Sequence, residues 1–359
     1  MVNQISFKNF RGFENLELKD LKRITLVTGK NNSGKSSLLE GIFLLHDHVA
    51  VESFQKIATF RGFGNAISLS NMWDSLFYGM DSTRPITITG DIDNKNINLQ
   101  YSREDNFSFS NDINVPPELL SQFSSSSSNL YALKCEYTEN DGEYQETMYF
   151  AIGPTGGIRQ LHTNLPQNQI RYMPHVQYIN ATIQFGSDMV VEWFGRAQIE
   201  NKTSRVIEIL KILEPEITNL TTIVSNGKSQ LYASIGDKFL PLRLAGDGMN
   251  KLLFIVLSIL ENENSTILID EIDTGLHYSM FEKLWSVIAK AAQENNCQVI
   301  ATTHSYECIA GAVAGMEKAN LQDEFVFYRL SKDNKKGNSS KRFTNDLLKY
   351  AIESDAEVR

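Results

Sequence analysis

The stretch Gly29-Lys30-Asn31-Asn32-Ser33-Gly34-Lys35-Ser36 has the spacing glycine, four residues, Gly-Lys-Ser. It follows the apolar run Ile24-Thr25-Leu26-Val27 and precedes a helical pattern at Leu38, Leu39, Ile42, Phe43 and Leu45. Strand, loop and helix in this order capture anions, because the glycines let successive N–H groups converge on a phosphate at a helix N-terminus. Gly29, Asn31, Asn32, Ser33, Gly34, Lys35, Ser36 and Ser37 are the expected phosphate contacts. Lys35 reaches the β- and γ-phosphates of a nucleotide, and the Ser36 hydroxyl completes the shell of a Mg²⁺ ion.

Three other features could serve the same chemistry. Thr266-Ile267-Leu268-Ile269 ends in Asp270-Glu271, and carboxylates at the end of a core strand need compensation. Either a nucleotide-bound metal supplies it, with Asp270 holding Mg²⁺ and Glu271 activating water, or the strand simply emerges into solvent. His304 follows Val299-Ile300-Ala301-Thr302-Thr303 and is catalytic or structural; like the other two, it sits at the carboxyl end of an expected strand, where open parallel sheets place ligands. Leu244-Ala245-Gly246-Asp247-Gly248-Met249 opens the apolar helix from Leu252 to Leu260. Its turn is a second phosphate site or a plain N-cap closed by Asp247 or its neighbours.

The elements that must position these residues are legible at both ends of the chain. Two short strands joined at Gly12 feed the strand that carries the phosphate loop. Hairpins are expected around Asp93-Asn94-Lys95, Asn140-Asp141-Gly142 and Asn226-Gly227, and helices near Val190 to Phe194 and Val206 to Leu213, the latter stopped by Pro215. After Pro241 strands and helices alternate, as in a parallel sheet covered by helices. The serines ending at Ser128 read as a surface loop. The 359 residues carry a net charge of −9, with 42% hydrophobic residues, which fits a globular chain rather than a uniformly basic nucleic-acid binder. Cys135, Cys297 and Cys308 show neither metal nor disulfide spacing, as in a reduced cytoplasm, and no apolar run is long enough to span a membrane.

The order of these motifs, with Asp273-Thr274-Gly275-Leu276-His277 and Thr302-Thr303-His304-Ser305 completing it, resembles the ABC-type ATPase core. Phe7-Lys8-Asn9-Phe10-Arg11 and the Asn-Asn-Ser of the loop resemble the branch containing SMC, RecF and OLD-family ATPases, and Asp270 to His277 resembles the OLD-like group most. The match covers residues 1 to 48 and 240 to 310.

The resemblance implies an α/β P-loop NTPase of ABC-ATPase type: a mixed or parallel core sheet, an N-terminal antiparallel β part, and a β-rich and helical middle insertion. Its spans are 1–84 for the lobe with the phosphate loop, 85–240 for the insertion, and 241–359 for the lobe with the turn, the Asp-Glu strand and the histidine. It further implies a homodimer with two ATP molecules, each between Gly34, Lys35 and Ser36 of one subunit and Gly246, Asp247 and Gly248 of the other. Asp273 lies at the seam, His304 senses the γ-phosphate, and Arg11 approaches the nucleotide. Ala245 and Gly248 depart from the Leu-Ser-Gly-Gly-Gln signature of transporter ATPases, and no glutamine-loop residue is assigned. Only 55 residues follow His304, too few for the Toprim nuclease of OLD enzymes. The expectation is an ATP-hydrolysing switch controlling a separate effector such as a nuclease, in bacterial phage defence; the alternative is a RecF-like ATPase that binds DNA directly.

Overall fold

Four apolar runs too continuous to leave one face in water form the centre of the protein. They are β3 (Ile24–Gly29), β14 (Thr266–Ile269), β15 (Gln298–Thr302) and the first half of β16 (Phe325–Asp333). The computed structural model describes residues 1–48, 51–61, 73–107, 113–114, 130–152, 158–163, 175–180, 188–212, 214–225, 227–333, 337–354 and 356–358. The serine run ending at Ser128 lies outside them. In the six-stranded sheet the order is β10 (Val176–Ile179), β14, β15, β3, β16, β17 (Gly337–Thr344), all parallel except β17. The expected parallel sheet is therefore present, with an antiparallel edge strand.

Alternate residues of this sheet enter two different cores, as the period of two in a strand requires. Ile24, Leu26, Ile267, Ile269, Val299 and Ala301 join one core. It is shared with α3 (Asp188–Ile199), α4 (Thr203–Leu210), α5 (Asp247–Glu261), α6 (Phe281–Glu294), α7 (Tyr306–Ala319) and α8 (Asn345–Glu353). Val27, Leu268 and Ile300 join the other, which holds α1 (Lys35–His46).

Beyond α1 lies an antiparallel sheet of eight strands: β1 (Val2–Phe10), β2 (Phe13–Leu18), β4 (Ile86–Ile92), β5 (Lys95–Phe107), β6 (Ile113–Asn114), β7 (Leu130–Glu139), β8 (Tyr144–Ile152) and β9 (Ile158–Thr163). The β4–β5 hairpin turns at Asp93-Asn94, both at positive φ, and β7–β8 turns at Asn140-Asp141-Gly142. A three-stranded sheet of β11 (Ile217–Ser225), β12 (Lys228–Ile235) and β13 (Lys238–Pro241) carries the hairpin expected at Gly227.

α1 is buried between the two large sheets, and close contacts fix it there. A Cβ at Gly41 would overlap the Phe7 ring, so glycine sets how near the helix comes to β1. At the far end of α1, the fully enclosed His46 donates from Nδ1 to Ile42 O (2.9 Å), which leaves Nε2 to accept from the Thr266 hydroxyl at 3.2 Å. The helix is thereby tied to the strand that ends in Asp270.

Burial holds the His46 imidazole down to about 4. Because the unfolded chain binds this proton at about 6.5 and the folded one does not, the folded state weakens as pH falls from about 6.5 toward 4, by up to about 3 kcal/mol. Denaturant titrations of wild type and His46→Gln should show the variant less stable at pH 7 by about 1–2 kcal/mol, with the gap closing over that window. Parallel pH profiles would remove this account of His46.

Candidate active site

The loop after β3 closes tightly because its residues permit it. Asn32 (φ 63°) and Gly34 (φ 98°) take left-handed conformations, and a Cβ at Gly34 would run into the Phe13 ring. Gly34 is the N-cap of α1 and offers no side chain to its free N–H groups, and the first turn carries no acidic residue. The Lys35 ammonium, buried, donates to Gly29 O at 2.9 Å and Lys30 O at 3.3 Å. Burial pulls it below the usual lysine range, while Asp270, Glu271 and Asp273 pull it back up, which places all three carboxylates within its field. Asn31 and Asn32 are exposed, and Ser36 is half-buried. The buried Ser33 Oγ finds no hydrogen-bond partner among the described residues.

Because β14, β15 and β3 are neighbours, their carboxyl ends lie side by side. Asp270 is 9% exposed, and its backbone N–H donates to Ile179 O at 2.8 Å, beside the end of β10. The Thr302 hydroxyl donates to Asp270 Oδ1 (2.6 Å) and accepts from Glu271 N (2.9 Å), so one side chain orients the first carboxylate and fixes the backbone of the second. Tyr178 OH donates to Asp270 Oδ2 at 3.4 Å; burial, with Asp270 and Glu40 adding to it, pushes this hydroxyl well above its usual range and keeps it a donor. Glu271 itself is at φ 47°, a conformation that costs a non-glycine residue on the order of 1 kcal/mol or more. Glu271 Oε1 lies 3.9 Å from His304 Nε2, and Asp273 Oδ1 accepts from the Thr303 hydroxyl at 2.7 Å.

Gly246 (φ 102°) is the N-cap of α5, and no side chain caps that helix start; the alternative of Asp247 closing it is not observed. A Cβ at Gly246 would meet nothing within 4 Å, and the preceding Leu244 is 75% exposed. The turn packs on the segment after Glu271: a Cβ at Gly248 would come within 3.1 Å of Leu276, and one at Gly275 within 3.8 Å of the Asp247 Cβ.

Arg11 is buried against the helix that follows the loop. Its Nη1 donates to Ser75 O (2.9 Å) and Oγ (2.7 Å), and its Nε lies 3.0 Å from Glu40 Oε2. Glu40 is 1% exposed and also accepts two hydrogen bonds from Arg61, whose Nη2 reaches Ser37 Oγ at 3.2 Å. Sequence reasoning did not find Glu40, Arg61, Tyr178 or the part played by Thr302. Thr302 stood inside a recognised motif; the others have roles set by distant partners, with no spacing to reveal them.

The Ser36 hydroxyl and the Asp270 carboxylate are hard oxygen donors of the type Mg²⁺ takes, and the unpaired Ser33 Oγ suits a phosphate-filled loop. Among the described residues no cluster of three His, Cys, Asp or Glu could hold a metal by itself. Nor, among them, is any helix long and apolar enough to cross a membrane.

The chain is similar to several known proteins. Residues 1–173 match the model of an AAA ATPase domain, and residues 173–310 that of an AAA domain described as a putative AbiEii toxin of a type IV toxin–antitoxin system. An ATP/GTP phosphatase of Helicobacter pylori is 26% identical over 331 residues, 86% of each chain. The DNA replication and repair protein RecF of Hahella chejuensis is 48% identical over 44 residues, 12% of each. An Smc head bound to the C-terminal winged-helix domain of ScpA has the same fold, at a TM-score of 0.51 and 13% identity, covering 98% of this chain and 99% of that one. So does an Smc head from Pyrococcus furiosus with an extended coiled coil, bound to the C-terminal domain of ScpA, at 0.50 and 11%, covering 99% of each. The two matched ATPase models abut at residue 173 and between them take in the loop, the Asp-Glu strand and His304, and with the phosphatase relative they make the chain a P-loop ATPase.

Proposed function

We propose that the protein is a cytoplasmic, ATP-gated dimerising switch of OLD-like kind whose output passes through a separate effector protein, such as a nuclease in bacterial phage defence. The observation that carries the dimer is the open Gly246 turn. It presents an uncapped helix start and an exposed Leu244 beside the seam segment that holds Asp273. A second copy's nucleotide, held by its Gly34-Lys35-Ser36 loop, would bring phosphate to the N–H groups of that turn, beside Asp247 in its first turn. The description of the family matched by residues 173–310, which names a type IV toxin–antitoxin system, favours a chain that works with a separate partner protein.

Within one site Lys35 would exchange Gly29 O and Lys30 O for phosphate oxygens. Glu271 would orient the attacking water and take its proton, and His304 would face the γ-phosphate. Ser36 and Asp270 would hold Mg²⁺, which supplies charge neutralisation to the phosphates when bound. The short, high-identity match to RecF favours a second reading, direct clamping of duplex DNA.

Glu271→Gln keeps size and hydrogen bonding but removes the base. It should lower ATP turnover by about 100-fold or more while nucleotide binding survives; unchanged turnover in a phosphate-release assay would take Glu271 out of the chemistry. Lys35→Ala should raise the dissociation constant for ATP by about 10-fold or more, through loss of a charge-assisted contact, and equal affinities by calorimetry would contradict that role. The native mass of tagged Glu271→Gln, isolated from its host in Mg²⁺ and ATP, tests the proposal itself. Two chains with a stoichiometric second protein is the expected result. A dimer carrying only DNA would favour the RecF-like reading, and a monomer would sink both.

A further inference from the structure

Lys251 is on α5, little more than one turn after the open Gly246 turn, yet its side chain leaves that helix and ends at the catalytic strand. It is 2% exposed, and its ammonium donates to Glu271 O and Thr274 O, both at 2.8 Å. These carbonyls belong to the sharp bend in which Glu271 is held at φ 47°. Burial lowers this lysine to about 8, against the pull of Asp273, Cys308, Glu271 and Asp270, and the ammonium spends its hydrogen bonds on two backbone carbonyls. The same bend is packed on the turn from its other side, through Gly248 against Leu276 and Asp247 against Gly275.

We propose that Lys251 is a positioning residue that couples the Gly246–Gly248 turn to the backbone of Glu271, so that a phosphate arriving at the turn sets the catalytic carboxylate of the same chain. This rests on the dimer reading, in which that phosphate is carried by the second subunit. A shift of α5 on engagement moves the ammonium, and the two carbonyls follow because the bend they belong to is strained and has this donor in common. Each site then fires in response to the opposite nucleotide, and hydrolysis couples to dimer closure rather than to ATP binding alone.

The test compares wild type, Lys251→Met and Lys251→Arg for ATP affinity, ATP-dependent dimer mass and single-turnover hydrolysis in preformed dimers. Lys251→Met is nearly isosteric but has no donor. It should bind ATP and dimerise within about 3-fold of wild type, while hydrolysis falls by about 10- to 100-fold, the scale of a misplaced catalytic group. Lys251→Arg keeps the charge and should recover part of that loss; it also serves if the Met variant does not fold. A Met variant that dimerises and hydrolyses at the wild-type rate would overturn the coupling alone. So would a variant that loses ATP binding and hydrolysis together, since the lysine would then merely support the fold. A wild-type chain that stays monomeric in ATP would overturn the dimer reading, and the coupling with it.

Discussion

Asp270 is a carboxylate at the end of a strand buried on both faces, and the site is arranged around the cost of keeping it there. Water cannot solvate it, so protein donors must. Thr302 supplies one from the adjacent strand and Tyr178 another from the residue before the end of β10. Both depend on the strand order β10, β14, β15, because only immediate neighbours bring side chains to the same sheet end. The field of Lys35 arrives from β3, one strand further along. A carboxylate so held keeps free lone pairs and a fixed orientation, which is what an ion brought in by a nucleotide needs.

The second constraint is α1, which must hold its N-terminus still while enclosed by two sheets. His46 ties one end to β14, and Glu40 ties the middle to both Arg11 and Arg61. Three buried or half-buried charges in contact are expensive, and removing one partner leaves another uncompensated. The arrangement joins the β1–β2 turn, the end of α2 (Val51–Phe60) and the helix under the phosphate loop in one hydrogen-bonded unit. The eight-stranded sheet is thereby mechanically continuous with the loop. Gln298 reinforces this, since its amide exchanges two hydrogen bonds with the backbone of Val2 across the two sheets.

What the sequence reveals and what it hides divide along this line. The loop, the Asp-Glu strand and His304 are legible because their chemistry is local: glycine spacing, an apolar run, a histidine after a strand. The hairpins are legible because Asn, Asp and Gly at positive φ announce their turns. β10 is not, because four residues with only two buried give no periodicity to read, yet it brings Tyr178 to Asp270. Arg11 is legible only in part. Its motif is local, but the glutamate that pairs with its guanidinium is 29 residues away in the chain, with no spacing to reveal it. Lys251 reads as one more polar residue on an apolar helix, and only the bend at Glu271 gives it a purpose.

A nucleotide can drive a change of state only through contacts that differ between the two states. The contacts of this site sort themselves by that test. Those of Asp270 with Thr302 and of Asp273 with Thr303 are complete without a nucleotide and lie within the sheet end, so they set geometry. On the proposed reading, the contacts of Lys35 with Gly29 O and Lys30 O would be given up for phosphate oxygens, and the N–H groups at Gly34 and Gly246 would gain partners. The carboxylate side would then be preorganised, and the differential free energy would be concentrated at the two glycine turns. Of those, the first is locked between sheets by α1, while the second opens to solvent on a helix connected to Glu271 through Lys251. In the proposed dimer the element free to respond would be the second turn, which is where a gate would have to be for ATP binding and ATP cleavage to be separate events.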